Sequence, residues 1–221
     1  MNGVAVEDRL RITEIFLSLQ GETSFSGLPT VFVRLTGCPL RCGYCDTAYA
    51  FSGGDLMPRA DIVARVRGFG VQHVTVTGGE PLAQPGAGPL LVSLCDAGFT
   101  VSLETSGALD VSRIDVRVVK ILDLKTPGSG EVVRNLWSNL AHLTDKDQVK
   151  FVVCNRVDYD WAKLKCDEYG IYDRAAEVLF SPSSGQLAPR DLADWILSDR
   201  LPVRLQVQLH KLLWPHRQRG V

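Results

Sequence analysis

Cys38-Pro39-Leu40-Arg41-Cys42-Gly43-Tyr44-Cys45 follows the apolar run Val31-Phe32-Val33-Arg34-Leu35, and this junction decides the reading of the chain. The apolar run reads as a strand, and the loop at its end gathers three thiols into eight residues with no obvious fourth. Thiolates are soft ligands suited to zinc and to iron–sulfur clusters, and a closed site of either kind takes four protein ligands. Three thiols therefore describe a metal centre with one corner open. Gly37, Pro39 and Gly43 permit the tight turns that let the sulfurs converge.

Working outward, β-rich runs alternate with helical patterns, the signature of a parallel α/β sheet. Ile12 to Leu19 reads as an opening strand. A helix starts near Pro58, and His73 to Thr77 is a strand that ends in Gly78-Gly79-Glu80-Pro81. A helix from about Pro89 to Ala97 comes next. Further strands are expected at about 100–104, 118–124, 148–153 and 177–181, helical patterns around 131–141, 157–169 and 189–198, and a last strand over Val203 to Leu209. Asp110 to Arg117 is too short for a crossover helix, so one layer is expected to be thin there. Parallel strands place their C-terminal ends on one rim, where such folds bind ligands. Gln20-Gly21-Glu22, the cysteine loop, Gly78-Gly79-Glu80, Glu104-Thr105-Ser106, Lys125, Ser181-Pro182 and His210 are all expected there.

At 221 residues, 45% hydrophobic and 22% charged, the chain fits one domain spanning 1–221. A formal net charge of −1 gives no electrostatic reason for a nucleic-acid partner. The basic-looking segments His210-Lys211 and His216-Arg217-Gln218-Arg219 read as solvated. Met1 to Arg9 shows no secretory pattern and no apolar run approaches a membrane span, so a cytoplasmic protein with reduced thiols is expected. Cys95, Cys154 and Cys166 read as buried or helix-face thiols, and the four histidines are isolated.

The CxxxCxxC pattern, with an aromatic residue before its last cysteine and a later Gly-Gly-Glu-Pro, resembles the radical S-adenosylmethionine superfamily. The resemblance implies a partial (open) parallel β/α barrel of about six strands and a [4Fe–4S] cluster on Cys38, Cys42 and Cys45. It also implies that S-adenosylmethionine occupies the open corner, with Tyr44 beside its adenine. Within that superfamily, Leu19-Gln20-Gly21-Glu22, Cys45-Asp46-Thr47, Glu104-Thr105-Ser106-Gly107, Asp123-Leu124-Lys125-Thr126-Pro127 and Gln208-Leu209-His210-Lys211 resemble 7-carboxy-7-deazaguanine synthases.

That family resemblance implies conversion of 6-carboxy-5,6,7,8-tetrahydropterin to 7-carboxy-7-deazaguanine with loss of ammonia, on the route to deazapurines such as queuosine. Carried over by residue, Leu19, Gln20, Gly21, Glu22, Arg34, Thr77 and His210 would contact the pterin, Arg34 through its carboxylate. Cofactor contacts would come from Tyr44, Cys45, Asp46, Gly79, Ser106, Asp123, Leu124, Lys125, Ser181, Pro182, Ser183 and Ser184. Thr47 would offer Mg2+ a hard oxygen ligand. The family further implies a homodimer and a reductant such as flavodoxin, with no direct nucleic-acid or membrane partner. Two rivals predict different architecture. A glycyl-radical-enzyme activase needs a broad groove for a protein substrate, and a non-catalytic zinc or cluster module needs no α/β scaffold.

Overall fold

The computed structural model describes residues 8–221, and the first residues of the Met1 to Arg9 reading lie outside the described residues. Nine strands, β1 (Arg9–Leu19), β2 (Pro29–Leu35), β3 (Asp55–Pro58), β4 (His73–Gly78), β5 (Thr100–Thr105), β6 (Val119–Leu124), β7 (Gln148–Val153), β8 (Glu177–Pro182) and β9 (Arg204–Leu205), form one sheet. Their order is β3-β1-β2-β4-β5-β6-β7-β8-β9. From β2 to β9 every pairing is parallel, which gives the six long parallel strands expected plus a two-residue seventh.

Strand alternation sorts the residues between two faces. In β4, Val74 and Val76 join a core with Ile62 and Val66 of α1 (Arg59–Arg67) and Leu90, Leu91 and Leu94 of α2 (Ala87–Asp96). In β6 to β8, Leu122, Leu124, Phe151 and Phe180 pack on Tyr159 and Ala162 of α3 (Arg156–Tyr169) and Leu192 and Ile196 of α4 (Pro189–Asp199). The intervening residues, Thr75, Thr77, Ser102, Glu104, Asp123 and Lys150, are polar and face the other side. A flat sheet would hold β1 and β7 about 24 Å apart, five spacings of roughly 4.8 Å. Instead Glu22, three residues past β1, touches Lys150 of β7 at 2.7 Å, so the sheet curls into an open barrel around its polar face.

Three sequence readings change. First, β1 runs antiparallel to β2, with Leu19 opposite Pro29, so Gln20-Gly21-Glu22 enters from the N-terminal rim of the parallel strands and not from the C-terminal rim. Second, residues 131–141 form no α-helix but short 3-10 turns, Val132–Arg134 and Trp137–His142. Here Asn135 brackets the backbone N–H and C=O of Lys125, and the Asn139 amide takes Gly107 and Leu109 carbonyls and the Val111 N–H. Side chains that bind distant backbone in this way compete with helix formation. Third, the strand expected over Val203 to Leu209 ends at Leu205. The Leu209 N–H bonds the Gly21 carbonyl instead, and α5 (Leu209–Leu213) begins.

The edge strand β3, absent from the sequence reading, covers the outer side of β1. Cys95, Cys154 and Cys166 are free and buried or partly buried, in line with their bland reading. No helix among the described residues is long and apolar enough to cross a membrane.

Candidate active site

One cavity of about 830 Å³ fills the inside of the curled sheet. At one end lies the cysteine loop, with Cys38, Cys42 and Cys45 on the cavity wall, all free and half-buried. Among the described residues no three His, Cys, Asp or Glu side chains crowd together as the ligands of one bare ion do. Three soft donors on one wall suit an iron–sulfur cluster with a corner left open.

The loop is held from outside by contacts the sequence did not announce. Glu131 accepts the Arg41 N–H at 2.6 Å, the Ser129 carbonyl accepts from Gly43 at 3.0 Å, and the Arg41 guanidinium lies over Phe51 at 4.3 Å while donating to the Cys38 carbonyl. From inside, the end of β4 presses against it. A Cβ on Gly79 would stand 2.3 Å from the Gly37 carbonyl oxygen and 2.7 Å from Cys38 Cβ, so only glycine lets the two segments pack. Glu80 then locks the turn to β5, accepting from the Leu82 N–H, the Thr105 hydroxyl at 2.9 Å, and the Ser106 N–H and hydroxyl.

Next to the thiols, two buried polar atoms have no protein partner, Tyr44 Oη and Asp123 Oδ1. The other Asp123 oxygen is 3.1 Å from Lys125 Nζ and 3.3 Å from Lys150 Nζ. Burial works against the Asp123 charge, but those two ammonium groups outweigh it and hold the carboxyl below its usual range. A lone hydroxyl and a lone carboxylate oxygen at this depth need the polar groups of a ligand.

The same cavity is lined by Leu19, Gln20, Gly21, Glu22, Arg34, Thr77 and His210, with Arg34 opposite Thr77 just before the cysteine loop and the Gly78-Gly79 turn. Gln20 Oε1 accepts from its own neighbours Gly21 and Glu22, which fixes the amide so that Nε2 reaches Thr75 at 3.1 Å and Glu104 at 3.2 Å. Thr77 donates to the other Glu104 oxygen at 3.2 Å. Burial pushes the Glu104 carboxyl up, with Lys150 only partly opposing. Glu22 goes the other way. Its burial is outweighed by Lys150 at 2.7 Å, with Gln208 donating at 2.8 Å, and its carboxyl is held low. His210 stands where a Cβ on Gly21 would come within 2.9 Å of its Nδ1, and burial lowers its pKa.

Most of the residues named from sequence thus share one cavity, and three do not. Leu124 points into the second core, and Ser181 and Pro182 are buried at the end of β8, while Ser183 and Ser184 just beyond them line the wall. Asp46 and Thr47 sit at the cavity mouth, where the Thr47 hydroxyl donates to Asp46 at 2.9 Å and Lys211 pairs with Asp46 at 2.8 Å. A hydroxyl so oriented keeps its lone pairs free for a hard cation. Of the segments read as solvated, His210, Lys211, Arg217 and Gln218 instead line the cavity, together with Trp214 and Val221.

Sequence reasoning put Glu104 on the ligand rim without a role and left Lys150 off the site. Lys150 is a charged residue inside the apolar run of Gln148–Val153, and a buried charge in such a run is itself a pointer to a site, whereas Glu104 alternates with Val101 and Leu103 in Thr100–Thr105 and carries no such signal.

Comparison with known proteins bears on this arrangement. The sequence profile of the Radical SAM superfamily matches residues 32–124. A 7-carboxy-7-deazaguanine synthase of Chlorobaculum tepidum is 47% identical over 221 residues, covering 99% of this chain and 100% of that protein. One from Koribacter versatilis is 41% identical, covering 96% and 100%. In fold, the chain is similar to QueE from Escherichia coli, with a TM-score of 0.72 at 23% identity over 90% of this chain and 94% of that one. It is also similar to Streptococcus suis SuiB bound to S-adenosylmethionine, with a TM-score of 0.58 at 16% identity over 78% and 48%.

Proposed function

The chain belongs to the 7-carboxy-7-deazaguanine synthase family of radical S-adenosylmethionine enzymes, and from that membership we propose that it converts 6-carboxy-5,6,7,8-tetrahydropterin to 7-carboxy-7-deazaguanine with loss of ammonia. The observation that carries this reading is the shared cavity. The three thiols and Gln20, Arg34, Thr77 and His210 all line it.

A [4Fe–4S] cluster and S-adenosylmethionine, when bound, supply the carbon radical that takes hydrogen from C6 of the pterin. The side chains present fit that pair. Cys38, Cys42 and Cys45 would hold the cluster, and the unpartnered Asp123 Oδ1 and Tyr44 Oη would meet the polar groups of the cofactor. Gly79, Ser106, Ser183 and Ser184 would contribute wall contacts, Ser106 through what its bond to Glu80 leaves free.

For the substrate, the Glu104 carboxyl, held by Gln20 and Thr77 with one lone pair spare on each oxygen, would accept from the donor groups of a pterin edge, with Gln20 packed beside it. Arg34 would grip the carboxylate through two parallel N–H bonds. Lys150 and Lys125 balance Glu22 and Asp123, so none of these four charges is left bare in the cavity wall. Thr47 is the proposed protein ligand of Mg2+, with waters and substrate oxygens completing its shell.

The one sheet supports reading 1–221 as a single domain. A cytoplasmic setting, a homodimer, an electron donor such as flavodoxin and the absence of nucleic-acid contact are proposed with the family. Closure of the cavity by α5 and residues 214–221 favours a small substrate over the protein substrate of an activase.

The deciding experiment is anaerobic reconstitution of the cluster followed by incubation with reductant, S-adenosylmethionine and 6-carboxytetrahydropterin. Mass spectrometry should find 7-carboxy-7-deazaguanine. An iron-replete protein that cleaves S-adenosylmethionine and forms none of it would overturn the substrate assignment.

A further inference from the structure

Arg34 does not face the cavity alone. Glu14 sits directly opposite it in the β1–β2 ladder, and Phe16 sits opposite Phe32, stacked at 5.1 Å. This pairing depends on a bulge. Between Ile12, which pairs with Leu35, and Glu14, which pairs with Arg34, β1 carries one extra residue, Thr13. In a regular ladder Thr13 would oppose Arg34, and the bulge brings Glu14 there instead. Bulges beside ligand sites re-aim side chains in this way.

Oε1 of Glu14 accepts from Arg34 Nε at 2.8 Å and from the Tyr49 hydroxyl at 2.7 Å, and Oε2 accepts from the Gly220 N–H at 3.2 Å. The guanidinium lies 5.7 Å from the centre of the Phe16 ring and 5.9 Å from that of Tyr49, with the Arg219 guanidinium 4.5 Å from the same Tyr49 ring. Among the described residues, Nε is the only Arg34 side-chain nitrogen with a hydrogen-bonded protein partner. The plane of the fork is thus fixed at one edge, and its two terminal nitrogens are left for a ligand.

We infer that Glu14 is a positioning residue that makes the site selective for a carboxylate, by holding Arg34 in its bidentate orientation and by tying residues 214–221 to the same anchor. The inference rests on the reading of Arg34 as the carboxylate contact. A long side chain loses rotamer freedom when it binds, and a fork already fixed at Nε loses less. Residues 214–221 share in this, because Gly220 and Arg219 attach to the Glu14–Tyr49 pair that orients the arginine.

The test compares two fluorescent probes, 6-carboxypterin and pterin without the carboxyl group, on cluster-loaded protein with S-adenosylmethionine bound. The wild type should bind the carboxylated probe more tightly. Glu14→Gln, which keeps shape and removes charge, should shrink that preference about tenfold, the size of a lost charge-assisted hydrogen bond. The change should fall on the carboxylated probe alone, with affinity for S-adenosylmethionine unchanged. Should Glu14→Gln not fold, Tyr49→Phe removes one donor from the same oxygen and should cost a smaller part of the same preference. An unchanged preference in a folded variant overturns the inference, as does equal weakening of both probes. A wild type that does not distinguish the probes overturns the Arg34 contact itself, and product formation in the reconstitution assay still judges the overall reaction separately.

Discussion

Lys150 Nζ stands 2.7 Å from Glu22 Oε2, so a cation in the middle of β7 is bonded to the loop that leaves β1. The same ammonium is 3.3 Å from Asp123, which makes it the bridge between Glu22 and β6. Glu22 and Asp123 have lowered pKa values, so their contribution to stability is present above their unfolded pKa values, 4.5 and 3.8, and is lost as pH falls through the folded ones. Lys150 is raised well above 10.5, despite its burial, by Asp123 and Glu22, and its contribution is lost only as pH rises past that point. Lys150→Met should therefore cost about 3 kcal/mol at pH 7, because it leaves two carboxylates buried without their shared cation. Urea unfolding at pH 7 and pH 5 checks this. The deficit should be smaller at pH 5, where Glu22, left with the Gln208 amide while Asp123 keeps Lys125, can take up a proton, and a deficit that grows would refute the assignment.

His210 should limit activity on the acid side. Burial lowers its pKa below 6.5, and Glu22 and Asp46 only partly oppose this, so the neutral ring is the folded form at pH 7. What it contributes is present above 6.5 and disappears as pH falls through the lowered folded value. The pH profile of kcat/KM should show a falling limb below 6.5 that His210→Gln removes.

Gly79→Ala should damage the cluster end specifically. The added Cβ meets Gly37 and Cys38 backbone and side chain at under 3 Å, and neither can give way without moving the cysteine loop. A loss of about 2 kcal/mol of stability is expected from such overpacking. Iron content per chain after reconstitution should fall with it, and full iron loading in the variant would refute the packing argument.

Cys42→Ala should abolish the visible absorbance of the reconstituted protein, its bound iron and its cleavage of S-adenosylmethionine, since two thiols are too few to hold the cluster. The fold should persist, because Cys42 belongs to neither hydrophobic core. Retained turnover would mean that the ligands have been misread.

The parallel half of the sheet was legible because its outward residues are runs of Val, Ile, Leu and Phe bounded by Gly and Pro, and the cysteine loop was legible from spacing alone. The direction of β1 was not, since an apolar run says nothing about which way it is traversed. Residues 131–141 misled because Leu136, Leu140 and Trp137 mimic a helical face, while Asn135 and Asn139 bind backbone far away in sequence. Arg34 and His210 could be named from motifs. Glu14, which holds Arg34, could not, because its position depends on a one-residue bulge that sequence does not display. Lys150 carried a readable signal in its charge amid Val149, Phe151 and Val152.

The reversed course of β1 divides the labour of the chain. The cysteine loop and the Gly78-Gly79-Glu80 turn come from the C-terminal ends of parallel strands, whereas Gln20, Gly21 and Glu22 are inserted from below and braced by α5. The enzyme is in effect a socket with a separate plug. Because the plug meets the socket mainly through side-chain bonds such as Glu22 to Lys150, residues 20–28 and 206–221 could be exchanged together to fit another small ring, leaving the radical-forming end in place.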